Sequence, residues 1–255
     1  MMFTLTKKVA VITGGGSGIG KAVALLFAQQ GATVQIVDLN TEQANQTVSE
    51  IRQAGGEASC FTCDVSRQTA VTETLQQIGK IDILVNSAGI SHIGTVETTL
   101  EEDFEKVFRI NVKGIYNCMY AVIPLMKQHG GGVILNMSSV AAWVGIPDRF
   151  AYSMSKGAVA AMTLSVARDY IKESIRCNSI SPARVHTPFV DGFLEKNYPG
   201  REAEMFQKLS QTQPIGRMAN PDEIAKLILY LCSDEAAFIT GSDYPIDGGF
   251  IKLNN

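Results

Sequence analysis

The segment AYSMSKGAVAAM sets Tyr152 and Lys156 four residues apart, a spacing that places both on one face of a helix with the ammonium beside the phenol. A phenol is a poor base at neutral pH. Its ordinary pKa is about 10, and bringing it near 7 needs roughly 3 units, or about 4 kcal/mol of preferential stabilisation of the phenolate. Taken alone, the pair fits a surface Tyr/Lys contact equally well. Ser139, in ILNMSSVAA 13 residues before Tyr152, shifts the balance. It follows an apolar run that reads as a strand, at the carboxyl edge where open parallel sheets bind ligands, and its hydroxyl can hydrogen-bond an oxygen on which charge develops. Ser138 is expected to point the other way. Neither serine lies in Gly-x-Ser-x-Gly, which argues against a serine hydrolase.

A second chemical feature lies near the start, in VAVITGGGSGIGKAVALLFAQQGATVQIVDLN. Gly14, Gly15, Gly16, Gly18 and Gly20 fall between an apolar strand and an amphipathic helix, so only main chain faces outward at a helix N-terminus, where free N–H groups hold an anion. Asp38 ends the next strand, 18 residues after Gly20, the expected place for a carboxylate that accepts both hydroxyls of an adenosine ribose. That charge opposes a 2′-phosphate, and Gly15, Gly16, Ser17 and Leu39 offer no compensating cation, so NAD is expected rather than NADP. Lys21-Ala22 follow the glycines where a P-loop needs Lys-Ser or Lys-Thr. A positive nicotinamide ring together with Lys156, in a cleft poor in water, would supply the stabilisation that Tyr152 needs.

These residues must be positioned by a scaffold, and the chain supplies one. Short β-branched runs alternate with helical stretches: KVAVIT, TVQIVD, EASCFTCDV, IDILVNSAG, GVILNMSS, IRCNSISP and DYPID read as seven strands, and the rhythm predicts a parallel sheet wrapped by helices. Gly31 is a stop for the first helix; TLEEDFEKVFRINVKGIYNCMYAVIPLMKQHG reads as one long helix; Asn220 and Pro221 start the helix of NPDEIAKLILYLCSDEA. The 255 residues, 45% hydrophobic, suffice for one sizeable core over 1–255. A net charge of −3 leaves no footprint for nucleic acid or an anionic membrane. The start MMFTLTKK lacks a secretory pattern and no long apolar run occurs, so a cytoplasmic protein is expected. Five cysteines make no disulfide framework; Cys60 and Cys63, on a strand, point to opposite faces, and His92, His129 and His186 have no neighbour at ligand spacing. No metal is expected.

With these motifs in place, the sequence resembles the short-chain dehydrogenase/reductase family over essentially its whole length, through TGGGSGIG, CDV at Cys63 to Val65, NSAG at Asn86 to Gly89, Asn111 in RINVKG, Ser139, Tyr152 with Lys156, SPARVHTP and ITGSDYPIDGG. The resemblance implies an α/β, single-domain Rossmann fold: a doubly wound seven-stranded parallel sheet in order 3-2-1-4-5-6-7 with helices on both faces. It implies a tetrad in which Tyr152 is acid/base, Ser139 positions the substrate oxygen, Lys156 binds the nicotinamide ribose and lowers the tyrosine pKa, and Asn111 holds a relay water. It places the cofactor against Gly14, Ser17, Gly18, Ile19, Gly20 and Asp38, with Asp64 and Val65 at the adenine, Asn86, Ala88 and Gly89 near the ribose, and Pro182, Val185 and Thr187 toward the carboxamide and phosphates. It also implies a homotetramer with contacts through DGGFIKLNN. Ser87 and Ala183 depart from the usual Asn-Asn-Ala-Gly and Pro-Gly, and Ala183 requires a negative φ.

Substrate is expected to meet the loop and helices at about 187–214, a stretch read as mobile. Arg149, three residues before Tyr152, can hold a carboxylate in its planar fork or serve as a solvated loop arginine; His92 and Trp143 are further candidates for the pocket. AGISHIGT, SSVAAWV, RFAYSMSK and SPARVHTP are similar to family members that oxidise small hydroxy acids and sugar-derived acids. The alternatives are a 3-oxoacyl-[acyl-carrier-protein] reductase, against which Asp38 and the acidic charge count, and a non-catalytic dinucleotide-binding scaffold or sensor, for which an intact tetrad has no purpose.

Overall fold

A computed structural model describes residues 2–253; Met1, Asn254 and Asn255, the ends of the span read above and of its C-terminal segment, lie outside the described residues. Seven strands, β1 (Val9–Thr13), β2 (Thr33–Asp38), β3 (Glu57–Thr62), β4 (Ile83–Asn86), β5 (Gly132–Met137), β6 (Ile175–Pro182) and β7 (Asp243–Ile246), form one sheet in the order β3-β2-β1-β4-β5-β6-β7. Every neighbouring pair is parallel, as expected. The helices are α1 (Gly18–Gln29), α2 (Thr41–Gln53), α3 (Gln68–Ile78), α4 (Glu101–Val107), α5 (Gly114–Gln128), α6 (Phe150–Tyr170), α7 (Pro188–Asn197), α8 (Glu202–Gln211), α9 (Pro221–Cys232) and α10 (Phe250–Leu253).

The strands are apolar on both faces because helices cover both. Ala10 and Ile12 of β1 pack with α1, α2 and α9, whereas Val11 between them packs with α3 and α5. The same alternation recurs in β5, where Leu135 faces the first cluster and Ile134 the second. Cys60 packs against the first cluster and Cys63 belongs to the second, so the two thiols diverge. After β3 the chain crosses β1 to lay β4 on its other side, and that reversal opens a crevice above the carboxyl ends of β1 and β4. No helix among the described residues is long and apolar enough to cross a membrane.

Helix punctuation follows the sequence where caps are strong. Gly31 takes φ +88 just past α1, and Asn220 donates its N–H to Glu223 Oε2 at 2.8 Å ahead of Pro221. One expectation needs revision. The long helix expected over residues 99–130 is α4 and α5 joined by a π-helical segment, Phe108–Lys113; such a widened turn commonly marks a site, and this one carries Asn111. The segment at 187–214, expected to be loop and helices, holds α7 and α8. Thr187 with Pro188 starts α7, and in α8 Glu204 pairs with Arg201 at 2.9 Å and with Lys208 at 2.8 Å along the exposed side.

Candidate active site

The glycine turn leaves β1 with almost no room for side chains. Gly14 takes φ +69, and a Cβ there would lie 2.9 Å from Ala88 Cα. A Cβ on Gly20 would collide with the Gly14 carbonyl oxygen, and one on Gly16 would press on Asp38 Oδ2 at 3.0 Å. Ser17 caps α1 in extended conformation without using its hydroxyl, so the N–H groups of Gly18, Ile19 and Gly20 open the helix without intrahelical partners. Thr187 stands across from them: a Cβ on Gly18 would be 3.5 Å from its Cγ2. Lys21 turns away to Glu50 at 2.7 Å. Asp38 is held from both sides, Oδ2 accepting from Gly16 N and Oδ1 from Asn40 N, each at 2.9 Å. A bare anion seat with a fixed carboxylate one strand away fits the diphosphate and ribose of a dinucleotide.

The rest of the cofactor wall is built from main chain pinned by buried polar groups. Asp64 Oδ1 accepts from Ser66 N at 2.9 Å, and Val65, buried, gives its carbonyl to Asn117 Nδ2 at 2.8 Å. Thr13 Oγ1 accepts from both Ser87 N and Ala88 N at 3.1 Å, which fixes the loop after β4 to the end of β1. Asn86 is 1% exposed and donates to Asn136 Oδ1 at 2.8 Å, while Asn136 donates to Thr163 at 3.0 Å. Asn86 Nδ2 therefore ties β4 to β5 and, through Asn136, to α6, while its buried Oδ1 has no hydrogen-bond partner among the described residues. Val185 is buried and pairs with Ala219; Ala183 has no positive φ, as its side chain requires, and donates to Ile246 O at 3.3 Å.

The tetrad converges at the carboxyl edge. Ser139 follows β5 and starts the short turn Val140–Ala142, its Oγ accepting from Ala141 N at 3.2 Å and reaching the Pro182 carbonyl at 3.5 Å. Ser138 points the other way, to Lys156 O at 3.2 Å. On α6 the Lys156 ammonium lies 5.6 Å from the Tyr152 ring centre and donates to Met137 O at 2.7 Å. Asn111 is fully buried, its amide exchanging both hydrogen bonds with Ile90 at 2.8 Å and donating to Ser155 at 3.0 Å. With the amide fully used, Asn111 clamps the loop after β4 to α6.

Burial raises the Tyr152 pKa, and it is held back first by the hydrogen bond with Ser139 and then by the charge of Arg149. Burial pushes Lys156 down to about 8. Arg149 is thus a cation that favours the phenolate here, in addition to the expected Lys156, whose ammonium lies by the same ring. Arg149 Nη1 donates to Ser91 Oγ at 3.0 Å and His92 O at 3.2 Å, and its backbone is stitched to the same loop through Asp148 and Gly94. His92 meets the site through that carbonyl; its Nε2 is buried without a partner among the described residues. Trp143 is not with them. Its Nε1 donates to Asp243 Oδ2 at 2.9 Å and Ser181 Oγ at 3.0 Å, and the ring lines a cavity of about 480 Å³ between α6 and β7 that none of the tetrad residues borders. Sequence reasoning also passed over Arg184, whose Nε donates to Thr212 Oγ1 at 3.0 Å. A cation two residues beyond the end of β6 was the available signal.

Known proteins resemble this chain in sequence and fold. A model of the family described as enoyl-(acyl carrier protein) reductase matches residues 14–251. An uncharacterized oxidoreductase of Thermotoga maritima is 43% identical over 246 residues, 95% of this chain and 96% of the other. A 7α-hydroxysteroid dehydrogenase solved with NADH and 7-oxo glycochenodeoxycholic acid superposes with a TM-score of 0.89 at 34% identity, covering 99% of this chain and 98% of its own. The L-sorbose reductase of Gluconobacter frateurii, solved with NADPH and L-sorbose, superposes at 0.94 with 30% identity and 99% of both chains.

Lys156 offers a test of whether stability is sacrificed at this site. Its pKa is depressed from 10.5 to about 8, so the folded state resists protonation; the penalty is full below pH of about 8 and fades as pH rises toward 10.5. The depression corresponds to about 3 kcal/mol, less about 1 for the bond to Met137 O. Lys156→Met is expected to be more stable than the parent by about 2 kcal/mol at pH 7 in urea unfolding, with the gap closing by pH of about 10. A variant less stable at pH 7 would contradict the assignment.

Proposed function

The chain belongs to the short-chain dehydrogenase/reductase family, whose members here act on CH–OH groups, and from that premise we propose an NAD-dependent dehydrogenase that interconverts a secondary alcohol and a ketone on a small hydroxy acid or sugar-derived acid. The observation that carries the reading is the convergence of Tyr152, Ser139 and Lys156 beside the glycine turn. A bound nicotinamide supplies the hydride acceptor. Tyr152 takes the hydroxyl proton of the alcohol, and Ser139 donates a hydrogen bond to the same oxygen as its charge changes. Lys156, with its pKa near 8, passes the proton onward and holds the nicotinamide ribose. Asn111 fixes the loop over which a relay water would be held.

The choice of NAD rests on Asp38, whose carboxylate is already oriented by two main-chain N–H groups and repels a 2′-phosphate. Leu39 is exposed and apolar, and Lys21 is committed to Glu50, so neither supplies a cation for that phosphate. Arg149, at the N-terminus of α6 beside Tyr152, supports an acid as substrate. In this reading the enzyme is a cytoplasmic homotetramer, for which Tyr116 and Tyr120 of α5 and Leu164 of α6 leave apolar surface outside.

Tyr152→Phe is expected to lower turnover at least about 100-fold while leaving NAD affinity within about threefold, since the phenol acts on the reacting proton. NADH formation in a screen of hydroxy acids and sugars reads the first, and fluorescence titration the second; undiminished turnover removes Tyr152 from the mechanism. A scaffold without catalysis would instead bind NAD and turn over nothing. Asp38→Ala is expected to weaken NAD at least about tenfold and NADP far less. The reverse order in the titrations would overturn the cofactor choice.

A further inference from the structure

Arg149, whose charge acts on Tyr152, and Arg184, just past the end of β6, are guanidinium groups that act on each other, and neither has a carboxylate partner among the described residues. Arg184 lies two residues after Pro182, whose carbonyl meets Ser139 Oγ at 3.5 Å, so its backbone is within about 7 Å of that hydroxyl's contact. Thr212 holds it at one edge: Oγ1 accepts from Arg184 Nε at 3.0 Å and from Gln213 Nε2 at 2.9 Å, and spends its own proton on Leu209 O at 2.7 Å. Both Nη groups of Arg184 are left without a hydrogen bond among the described residues. Arg149 is held at Nη1 alone, by Ser91 and His92, which leaves its Nε and Nη2 free among the described residues.

Arg52, Arg67, Arg109 and Arg168 are exposed to solvent. Arg201 and Arg217 pair with glutamates at the surface, and Arg176 donates to the carbonyls of Leu231, Ser233 and Ile239. Arg149 and Arg184 are partly buried, and each is pushed below the usual guanidinium range first by burial; Arg184 is pushed further by the charge of Arg149. Asp148 and Tyr152 act on Arg149 in the opposite sense, yet Asp148 makes no ion pair with it among the described residues. Two like charges drawn out of water toward each other are costly unless an anion joins them.

We propose that Arg149 and Arg184 form a two-guanidinium seat for the substrate carboxylate, with Arg184 as the second specificity-determining residue. The inference rests on the reading of the site as that of a hydroxy-acid dehydrogenase, and it adds the element that would select the acid. Arg149 touches the site from the entry to α6 and Arg184 from just past the end of β6, so a carboxylate between their open N–H edges is gripped from two walls while its carbinol carbon faces Tyr152 and Ser139. Planar forks suit this task, since each offers paired donors to a carboxylate.

The test titrates the NADH-loaded protein with malonate and with malonamide, its neutral twin, by calorimetry, so that the dinucleotide covers the diphosphate seat. The parent is expected to bind malonate at least about tenfold more tightly than malonamide, and Arg184→Gln and Arg149→Gln each to reduce that ratio at least about fivefold. Arg184→Lys, which keeps the charge, should retain more of the ratio than Arg184→Gln. NADH fluorescence checks that each variant is folded. No preference for malonate in the parent, or an undiminished preference in Arg184→Gln, overturns the seat. Assays with 3-hydroxybutyrate and with neutral cyclohexanol separate the two readings: an Arg184-dependent preference without turnover keeps the seat and removes the dehydrogenase, whereas turnover without any preference does the opposite.

Discussion

Ionising a phenol inside a protein costs desolvation, and the whole site answers to that cost at Tyr152. Burial drives its pKa up, while the Ser139 hydroxyl and the Arg149 charge pull it back. Those two groups come from separate elements, Ser139 from the end of β5 and Arg149 from the entry to α6. The balance therefore exists only while the sheet edge and the helix keep their relative position. Lys156, reaching back to Met137 O at the end of β5, ties the same helix to the same strand one turn further on.

That position is kept by polar groups buried among apolar ones. Asn136 links Asn86 of β4 to Thr163 of α6, and Asn111 links the loop after β4 to Ser155. A buried amide that loses its partner pays its full desolvation, so each link has a narrow set of allowed geometries. The π-helical segment is part of the same device. By widening the turn around Asn111, it brings that side chain to the Ile90 backbone, and the cost of an irregular helix is repaid in a fixed loop beside the tetrad. Burying Lys156 works the other way: it lowers stability at neutral pH and leaves a group that exchanges its proton near pH 8.

Features set by local backbone rules were legible in the sequence. The five glycines, Asp38 at the end of β2, and the alternation of strand and helix each follow from sterics, helix dipoles and periodicity acting over a few residues. So did Ser139, placed by its strand rather than by any neighbour in sequence. What remained hidden depends on contacts between distant segments. Trp143 has the composition of a pocket residue, but Asp243, a hundred positions away, claims its N–H. Arg184 sits inside a recognised stretch, yet its relation to Arg149 arises only when β6 and α6 meet. The bounds of α7 and α8 were hidden for a different reason: Gly192 and a mixed polar pattern mask the caps and ion pairs that start and support them.

The claim that Arg149 and Ser139 offset the burial of Tyr152 is tested most directly by the pH dependence of kcat/KM for oxidation of a neutral secondary alcohol, which has no carboxylate for an arginine to hold. Oxidation needs the unprotonated phenol, so its logarithm is expected to climb by about one unit per pH unit up to the Tyr152 midpoint. In Arg149→Gln that midpoint should move to higher pH, because a charge favouring the phenolate is gone. A midpoint that stays in place or falls in the variant, or a parent profile flat in pH, would contradict the account.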